Sequence, residues 1–447
     1  MIAPWLFERI ATWGDAPALV WNDTTCSYAE LAQLADSWQE KFRAHKLVPG
    51  EVVALEGSFS PHACAALIAL VRLGAIAAPL TPLMRAQRDT FLDIAEARLL
   101  VEFDAADGFT FHELGRTVTN GVTQKLVARG NPGLIIFSSG STGVPKAILH
   151  DFAKLLEKFH KVRQKKTTLT FLLFDHIGGI DTLFNTLASG GTVVTVPNRD
   201  PETVSRAIEK YRVHTLPASP TFLNLWLISG LFEQFDFSSL KVIAYGTEPM
   251  PPSTLKKLNE LFPDVSLVQT YGMSELGVLR SRSRDSQSLW LKFTGDGFQT
   301  KIIDGILWVK ADAAMLGYLN APDLFDAEGW LNTQDAVEVD GEYLRILGRA
   351  SDLINVGGQK VYPAEVENLL LQMENVQEVA VFGKPHPMMG QIVAARFNLK
   401  TPEPLADFKR RLGAFCRERM AAYQIPRLVE LSEDEQFGSR FKKLRNV

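Results

Sequence analysis

The sequence is poor in the features that mark a disulfide scaffold, a metal cluster or a charged tail. Only three cysteines occur in 447 residues, Cys26, Cys64 and Cys416. They are far apart and show neither CxxC nor metal-ligand spacing. That excludes a disulfide framework and suits reduced thiols in a cytoplasmic protein. Charge of neither sign dominates: the formal net charge is −4, which gives no electrostatic case for nucleic acid or a membrane as partner. No apolar run is long and clean enough to span a bilayer. The most apolar stretch, Ala63 to Leu80, is interrupted by Arg72 and carries Pro79; it reads as a buried helix running into a strand. Glu8, Arg9 and Asp15 near the start leave no apolar core for a signal peptide. Internal repeats and low-complexity runs are also missing.

What remains is an ordinary globular composition, 46% apolar and 22% charged, in a chain too long for one small core. Helical spacing runs over 28–46 and 63–73, with Gly74 as a C-cap, and apolar strands are expected at 52–55 and 75–80. The alternation returns at 190–196, 204–211, 215–218, 220–228 and 242–245, which implies parallel sheets flanked by helices. From about residue 289 the texture becomes β-rich, with short strands and Gly/Asp turns at 305–309 and 336–347. The segment after Gly348 to Asp352 is compact and α+β, with a helix at 363–373 and strands at 376–382 and 392–399. The expected fold class is therefore α/β: a large N-terminal domain of parallel and mixed sheets with a β-rich subdomain, then a small C-terminal α+β domain. The expected boundaries are 1–347, a linker at 348–352, and 353–447.

The most informative segment is 137–150, FSSGSTGVPKAILH. An apolar strand, 134–137, empties into a loop of Ser138, Ser139, Gly140, Ser141, Thr142 and Gly143, followed by Pro145 and Lys146. Such a loop offers backbone N–H groups, hydroxyls and an ammonium to phosphate oxygens. Its spacing is not that of the G-x-x-x-x-G-K-[ST] loop. A second segment, QTYGMSELG at 269–277, also follows an apolar strand, and ligands of open α/β sheets gather at such strand ends. Glu275 has no basic neighbour in sequence and suits a magnesium ion that also meets substrate phosphates. Tyr271 could lie against a flat base, and Thr270 is a second hydroxyl at the mouth of the same loop. GWLNTQD, 329–335, and LGRASD, 347–352, supply a carboxylate, Asp335, and an arginine, Arg349; a carboxylate can accept two hydrogen bonds from vicinal hydroxyls and an arginine fork can add more.

These stretches, in this order, resemble the adenylate-forming superfamily of acyl- and aryl-CoA synthetases, peptide-synthetase adenylation domains and luciferase. The loop matches [ST]-[ST]-G-[ST]-[ST]-G-x-P-K-G except that Ala147 replaces the last glycine. The resemblance covers nearly the whole chain. It implies that Tyr271 packs on adenine, Ser274 reaches the α-phosphate, Glu275 holds magnesium, and Gly246, Thr247 and Glu248 form the adenine edge with Gly272 in the neighbouring loop. It places Asp335 and Arg349 on the ribose, with Gln334 where a glycine is usual, and Ser351 at the hinge about which the C-terminal domain rotates. Gly357, Gly358 and Lys360 then face a pantetheine tunnel for the thioester step.

The segment FDHIGGI carries the acyl- and aryl-ligase H-x-x-G as His176 and Gly179, facing the carboxylate substrate with Met273. Asp175 either holds an amino group on the acid or points away to orient His176 or cap a helix. The tail departs from the family's [ST]-G-K-[IV]-x-R: in FGSRFKKLRNV either Arg440 or Lys442 stands for the catalytic lysine. The implied chemistry uses ATP and Mg2+ to activate a carboxylic acid, aromatic or medium acyl. The acyl group then passes to the thiol of CoA or of the phosphopantetheine on an acyl carrier protein. The alternatives are an amino-bearing acid, a non-thiol acceptor, or a nucleotide-binding pseudoenzyme.

Overall fold

The computed structural model describes residues 3–138, 145–434 and 437–438. Two seven-stranded sheets form the bulk of the chain. The first runs, from edge to edge, Ser266–Gln269, Val242–Tyr245, Thr215–Ala218, Thr167–Leu169, Thr192–Val194, Pro17–Trp21 and Thr24–Ser27. Every pairing in it is parallel except the last, which is a hairpin. The second has parallel strands Val52–Glu56, Ile76–Leu80, Leu99–Phe103 and Gly133–Ser138 at its centre, with antiparallel strands at both edges. Parallel strands need both faces covered. The helix Pro61–Leu73 does this for the second sheet, with nine consecutive residues buried from Ala63 to Val71. Ser60 caps its start, and Gly74, at φ +69°, ends it in the left-handed region. Arg72 lies at the rim of this apolar helix, paired with Asp36 at 2.7 Å.

A six-stranded antiparallel sheet follows, in the order Ser281–Ser283, Leu291–Phe293, Tyr343–Arg349, Leu331–Asp340, Ile306–Ala311 and Phe298–Ile303. The region after 352 has its own five-stranded sheet, the helices Pro363–Leu370 and Leu405–Arg417, and its own buried cluster from Ile354 to Met420. Its first helix is shorter than the apolar spacing suggests. It stops at Leu370, and the remaining turn to Met373 is closed by single bonds such as Met373 N–H to the Leu370 carbonyl, 3.1 Å. This unit rests on the N-terminal part through Ala364, Glu367 and Leu371, which face Pro220, Asn224 and Pro251 across a narrow cleft. No helix among the described residues is long and apolar enough to cross a membrane. All three cysteines are buried and unbridged.

The helices on the outer face of the first sheet are anchored by Trp226. It is fully buried, stacks on Phe262 and donates its indole N–H to the Ser205 hydroxyl at 2.8 Å. We expect Trp226→Ala to cost about 3–5 kcal/mol, the range for deleting a large core aromatic. Urea denaturation checks this; a loss below about 1 kcal/mol would show that the cluster does not act as one core.

Candidate active site

The strand Gly133–Ser138 pairs antiparallel with Lys146–Asp151, so Ser138 lies opposite Lys146 and the phosphate-loop segment joins them. Ser139, Gly140, Ser141, Thr142 and Gly143 lie outside the described residues, as do Arg440 and Lys442. The loop's exit is held by Asn320, which accepts from the Ala147 N–H at 2.9 Å and donates to the Pro145 carbonyl at 2.8 Å. Ala147, the departure from the motif, is an ordinary buried strand residue opposite Phe137, where a side chain is accommodated.

Tyr271–Met273 and Gly277–Leu279 form a hairpin with Ser274 and Glu275 near its tip. Gly272 must be glycine: a Cβ there would stand 2.7 Å from the Gly277 carbonyl. The tip is pinned from two sides. His150, fully buried, bonds the Ser274 carbonyl at 2.6 Å through Nε2, and the Met315 N–H donates to the Glu275 carbonyl at 2.7 Å. Glu275 itself accepts the Tyr318 hydroxyl at 2.7 Å, and the Lys146 ammonium lies 5.2 Å from the Tyr318 ring. Burial and the Glu275 charge push the Tyr318 phenol far above its ordinary value, against the opposing charge of Arg349, so it stays a donor. His150, Tyr318 and Asn320 were missed from sequence. Tyr318 and Asn320 belong to no recognised motif, and His150 ends the segment 137–150 without a role assigned to it; the pairing of Gly317–Tyr318 with Lys146–Asp151 brings them together.

Asp335 is buried and doubly held: Oδ2 accepts the Tyr271 hydroxyl at 2.6 Å, and Oδ1 pairs with Arg349 Nε at 2.9 Å. Tyr271 is 7% exposed, its ring is set edge-on to Phe293 at 5.5 Å, and its hydroxyl supports Asp335. Gln334, where the motif has glycine, stands in the left-handed region at φ +61°. Thr247 is also left-handed, at φ +74°, and Gly246 is required because a Cβ would lie 2.5 Å from Thr270 Oγ1. Glu248 accepts the Thr221 N–H at 2.7 Å, at the N-terminus of the helix Pro220–Ser229.

A cavity of about 510 Å3 opens beside these residues. Gly246, Thr247 and Thr270 line one end of it, and Gly178 and Thr182 of the helix Ile177–Leu187 line its side. The four predicted substrate contacts do not line it. Asp175 is 2% exposed and takes the Thr81 hydroxyl at 3.3 Å, so it does not present a carboxylate to the cavity. His176 caps the helix, its Nδ1 accepting from the Gly178 N–H at 3.0 Å, which fixes the Nε2–H tautomer of the neutral ring. Gly179 is glycine for packing: a Cβ would meet the Leu173 carbonyl at 2.2 Å. Met273 packs with the cluster around Tyr271 and Leu307 rather than on the cavity.

Gly357 and Gly358, at φ +58° and +86°, make the tight turn of a hairpin ending at Gln359–Val361, which includes exposed Lys360. No described residue beyond Thr294 lines the cavity, so this turn is not part of it. Ser351 lies in a short turn, Ala350–Asp352, directly after Arg349, and its hydroxyl donates to Asp352 at 3.2 Å. Among the described residues no three His, Cys, Asp or Glu side chains converge on a point. A lone carboxylate at Glu275 still fits magnesium, which takes one or two carboxylates and completes its shell with water and phosphate oxygens.

A family model described as "AMP-binding enzyme" matches residues 6–319, and one described as "AMP-binding enzyme C-terminal domain" matches 365–436. The chain is 28% identical to an indoleacetate–CoA ligase of Aromatoleum aromaticum, over 96% of this chain and 93% of that one. It is 27% identical to a 2-succinylbenzoate–CoA ligase of Bacillus subtilis, over 99% of this chain and 96% of that one. In fold it is similar to the anthranilate–CoA ligase AuaEII in complex with anthranoyl-AMP, with a TM-score of 0.84, 21% identity, and 98% and 95% of the two chains covered.

Burial, outweighing the Ser274 carbonyl and nearby Glu275, holds the His150 pKa below the ordinary 6.5. Below that pH the unfolded chain binds a proton that the folded chain refuses, so stability falls as pH drops. His150→Gln keeps a donor for the Ser274 carbonyl and removes the titration. The stability advantage of the native chain over this variant should shrink as pH falls from about 7 to about 5. A difference that stays flat across denaturation curves in that window would refute the neutral, buried assignment.

Proposed function

Because the chain belongs to the AMP-binding enzyme family, we propose that it is an acid–thiol ligase acting in two half-reactions. A carboxylate oxygen of the acid attacks the α-phosphorus of ATP, the bond to pyrophosphate breaks, and an acyl-adenylate forms. A thiol then attacks the acyl carbon, AMP leaves with the bonding electrons, and a thioester remains. CoA is the acceptor that the two ligase relatives support; a carrier-protein phosphopantetheine is the alternative source of the same thiol. Three buried thiols, separate and unbridged, support a cytoplasmic setting.

One observation carries the reading. Lys146, Tyr318 and Glu275 form one chain of contacts, and Asp335 is held between the Tyr271 hydroxyl and Arg349. In this reading these are the phosphate, metal and ribose groups, and Thr270, next to Tyr271 in the chain, lines with Gly246 and Thr247 the cavity that would hold the acid. In this proposal Asp335 accepts the ribose hydroxyls, with Tyr271 and Arg349 fixing its two oxygens. Thr247 and Thr270 meet the reacting carboxyl and α-phosphate, with Gly246 letting the two strand ends approach. Lys146, Ser138 and the hydroxyls of 139–143 bind the polyphosphate, with Ser274 near the α-phosphate. Magnesium on Glu275, when bound, supplies charge neutralisation at the phosphates. A cation of the tail, Arg440 or Lys442, completes the adenylation arrangement. Rotation about 348–352 then brings Gly357, Gly358 and Lys360 to the thiol and excludes water from the adenylate.

Incubation with ATP, magnesium, CoA and a panel of acids should release pyrophosphate and yield an acyl-CoA detectable by mass. Glu275→Gln, which keeps shape and removes charge, should lower pyrophosphate release at least about 100-fold, as for loss of a preorganised electrostatic group. Near-native release by the variant would sink the metal role. Asp335→Ala should weaken ATP binding by about 2–4 kcal/mol, since charged hydrogen bonds are lost. Its melting temperature is measured alongside, because the variant also strands the Tyr271 hydroxyl. Unchanged ATP affinity in a folded variant would refute the ribose assignment.

A further inference from the structure

Glu275 is held twice by one short segment. The Met315 N–H donates to its carbonyl at 2.7 Å, and the Tyr318 hydroxyl donates to its Oε1 at 2.7 Å. That segment is itself locked to the strand Lys146–Asp151. Gly317 and Tyr318 pair with Leu149 and Ile148. The Leu316 N–H donates to the Leu149 carbonyl at 2.7 Å, and the Leu319 N–H to the Ala147 carbonyl at 2.9 Å. Tyr318 is 5% exposed and packs in the cluster of Leu276, Leu307 and Leu331. A hydroxyl fixed in this way does not follow the carboxylate if the carboxylate turns. Glu275 is therefore aimed by a rigid neighbour rather than by its own side-chain torsions.

This leaves the two carboxylate oxygens unequal. Oε1 gives a lone pair to the Tyr318 O–H, while Oε2 has no donor among the described residues. Glu275 is only half-buried, so its carboxylate is not sealed in the core. The nearest cation of the phosphate segment is kept off it as well. Among the described residues Lys146 makes no ion pair with Glu275; its ammonium lies 5.2 Å from the Tyr318 ring instead. One side chain thus spaces the phosphate cation from the metal carboxylate and occupies one oxygen of the latter.

Divalent ions use such a carboxylate differently. Magnesium takes about six oxygens at about 2.0–2.1 Å, most of them from water and phosphates. Calcium takes about six to eight at about 2.3–2.6 Å and readily accepts both oxygens of one carboxylate. A hydrogen bond to one oxygen draws its lone pair away from the ion. It costs little to an ion that needs one oxygen, and more to an ion that gains from two.

We propose that Tyr318 is a positioning residue that makes Glu275 a one-oxygen metal ligand and so selects magnesium over calcium. The inference rests on the metal assignment in the ligase reading above and adds what sets the identity of the ion. No other described residue donates to this carboxylate, so the selection traces to a single hydroxyl.

The test is calorimetric and needs no turnover. Binding of α,β-methylene-ATP, whose bridging carbon blocks adenylation, is measured with magnesium, with calcium and with EDTA. In the native chain magnesium should tighten binding more than calcium does. Tyr318→Phe keeps the ring beside Lys146 and removes only the hydroxyl. It should narrow the magnesium-over-calcium ratio about 10-fold, the lower end of what an outer partner of a metal ligand contributes. A general loosening of the site would weaken both metal complexes alike and leave the ratio unchanged. Tyr318→Leu is the second variant, should the first fail to fold. Glu275→Gln is the reference and should erase the difference between the two ions. A native ratio retained in a folded Tyr318 variant overturns the selection and leaves the metal and ligase readings in place. If metal does not tighten binding to the native chain, or Glu275→Gln keeps the native ratio, the metal assignment falls and this inference falls with it.

Discussion

The buried carboxylate of Asp335 is the constraint on which the rest of the site depends. A charge taken out of water must be met by donors of good geometry or its desolvation is uncompensated. The two donors come from different places: the Tyr271 hydroxyl from a hairpin after the first sheet, and Arg349 from the neighbouring strand of the six-stranded sheet. Satisfying one carboxylate therefore fixes the hairpin that carries Ser274 and Glu275 against the sheet that ends at the linker. Arg349 is the last residue before the short turn Ala350–Asp352.

Two departures from the family motif have different physical meanings. Gln334 stands in the left-handed region, where a side chain costs roughly 1–2 kcal/mol over glycine. The backbone keeps that conformation because Asp335, the next residue, must be aimed inward. Ala147 carries no such burden. It lies in a regular strand with its Cβ in the core, so the change is sterically quiet.

The cavity is lined from two sources. Gly246, Thr247 and Thr270 follow strand termini, where backbone and hydroxyl groups are fixed by the sheet. Lys158, Arg280 and Lys166 come from outside the strands, after a helix, after a hairpin and before a strand. Lys158 donates to the Val278 carbonyl at 3.1 Å, in the hairpin that carries Ser274 and Glu275, so the two sets are linked.

The sequence by itself determined the local elements and the nucleotide motifs. Periodicity, capping residues and glycine positions act over a few neighbours, so Thr215–Ala218 and Val242–Tyr245 match their expected spans, and the helix before Gly74 ends where it should. The family resemblance likewise pointed to Asp335, Arg349 and Glu275, because their chemistry is carried by contiguous segments. Only tertiary structure decided what each side chain faces. His176 is a helix cap, Asp175 a buried partner of Thr81, and Tyr271 a support for Asp335. Tyr318 and Asn320, and the role of His150, became visible only once distant strands paired. Which face a residue presents depends on sheet register and on partners a hundred or more residues away, as between His150 and Ser274, separated by 124 positions; no local pattern carries that information.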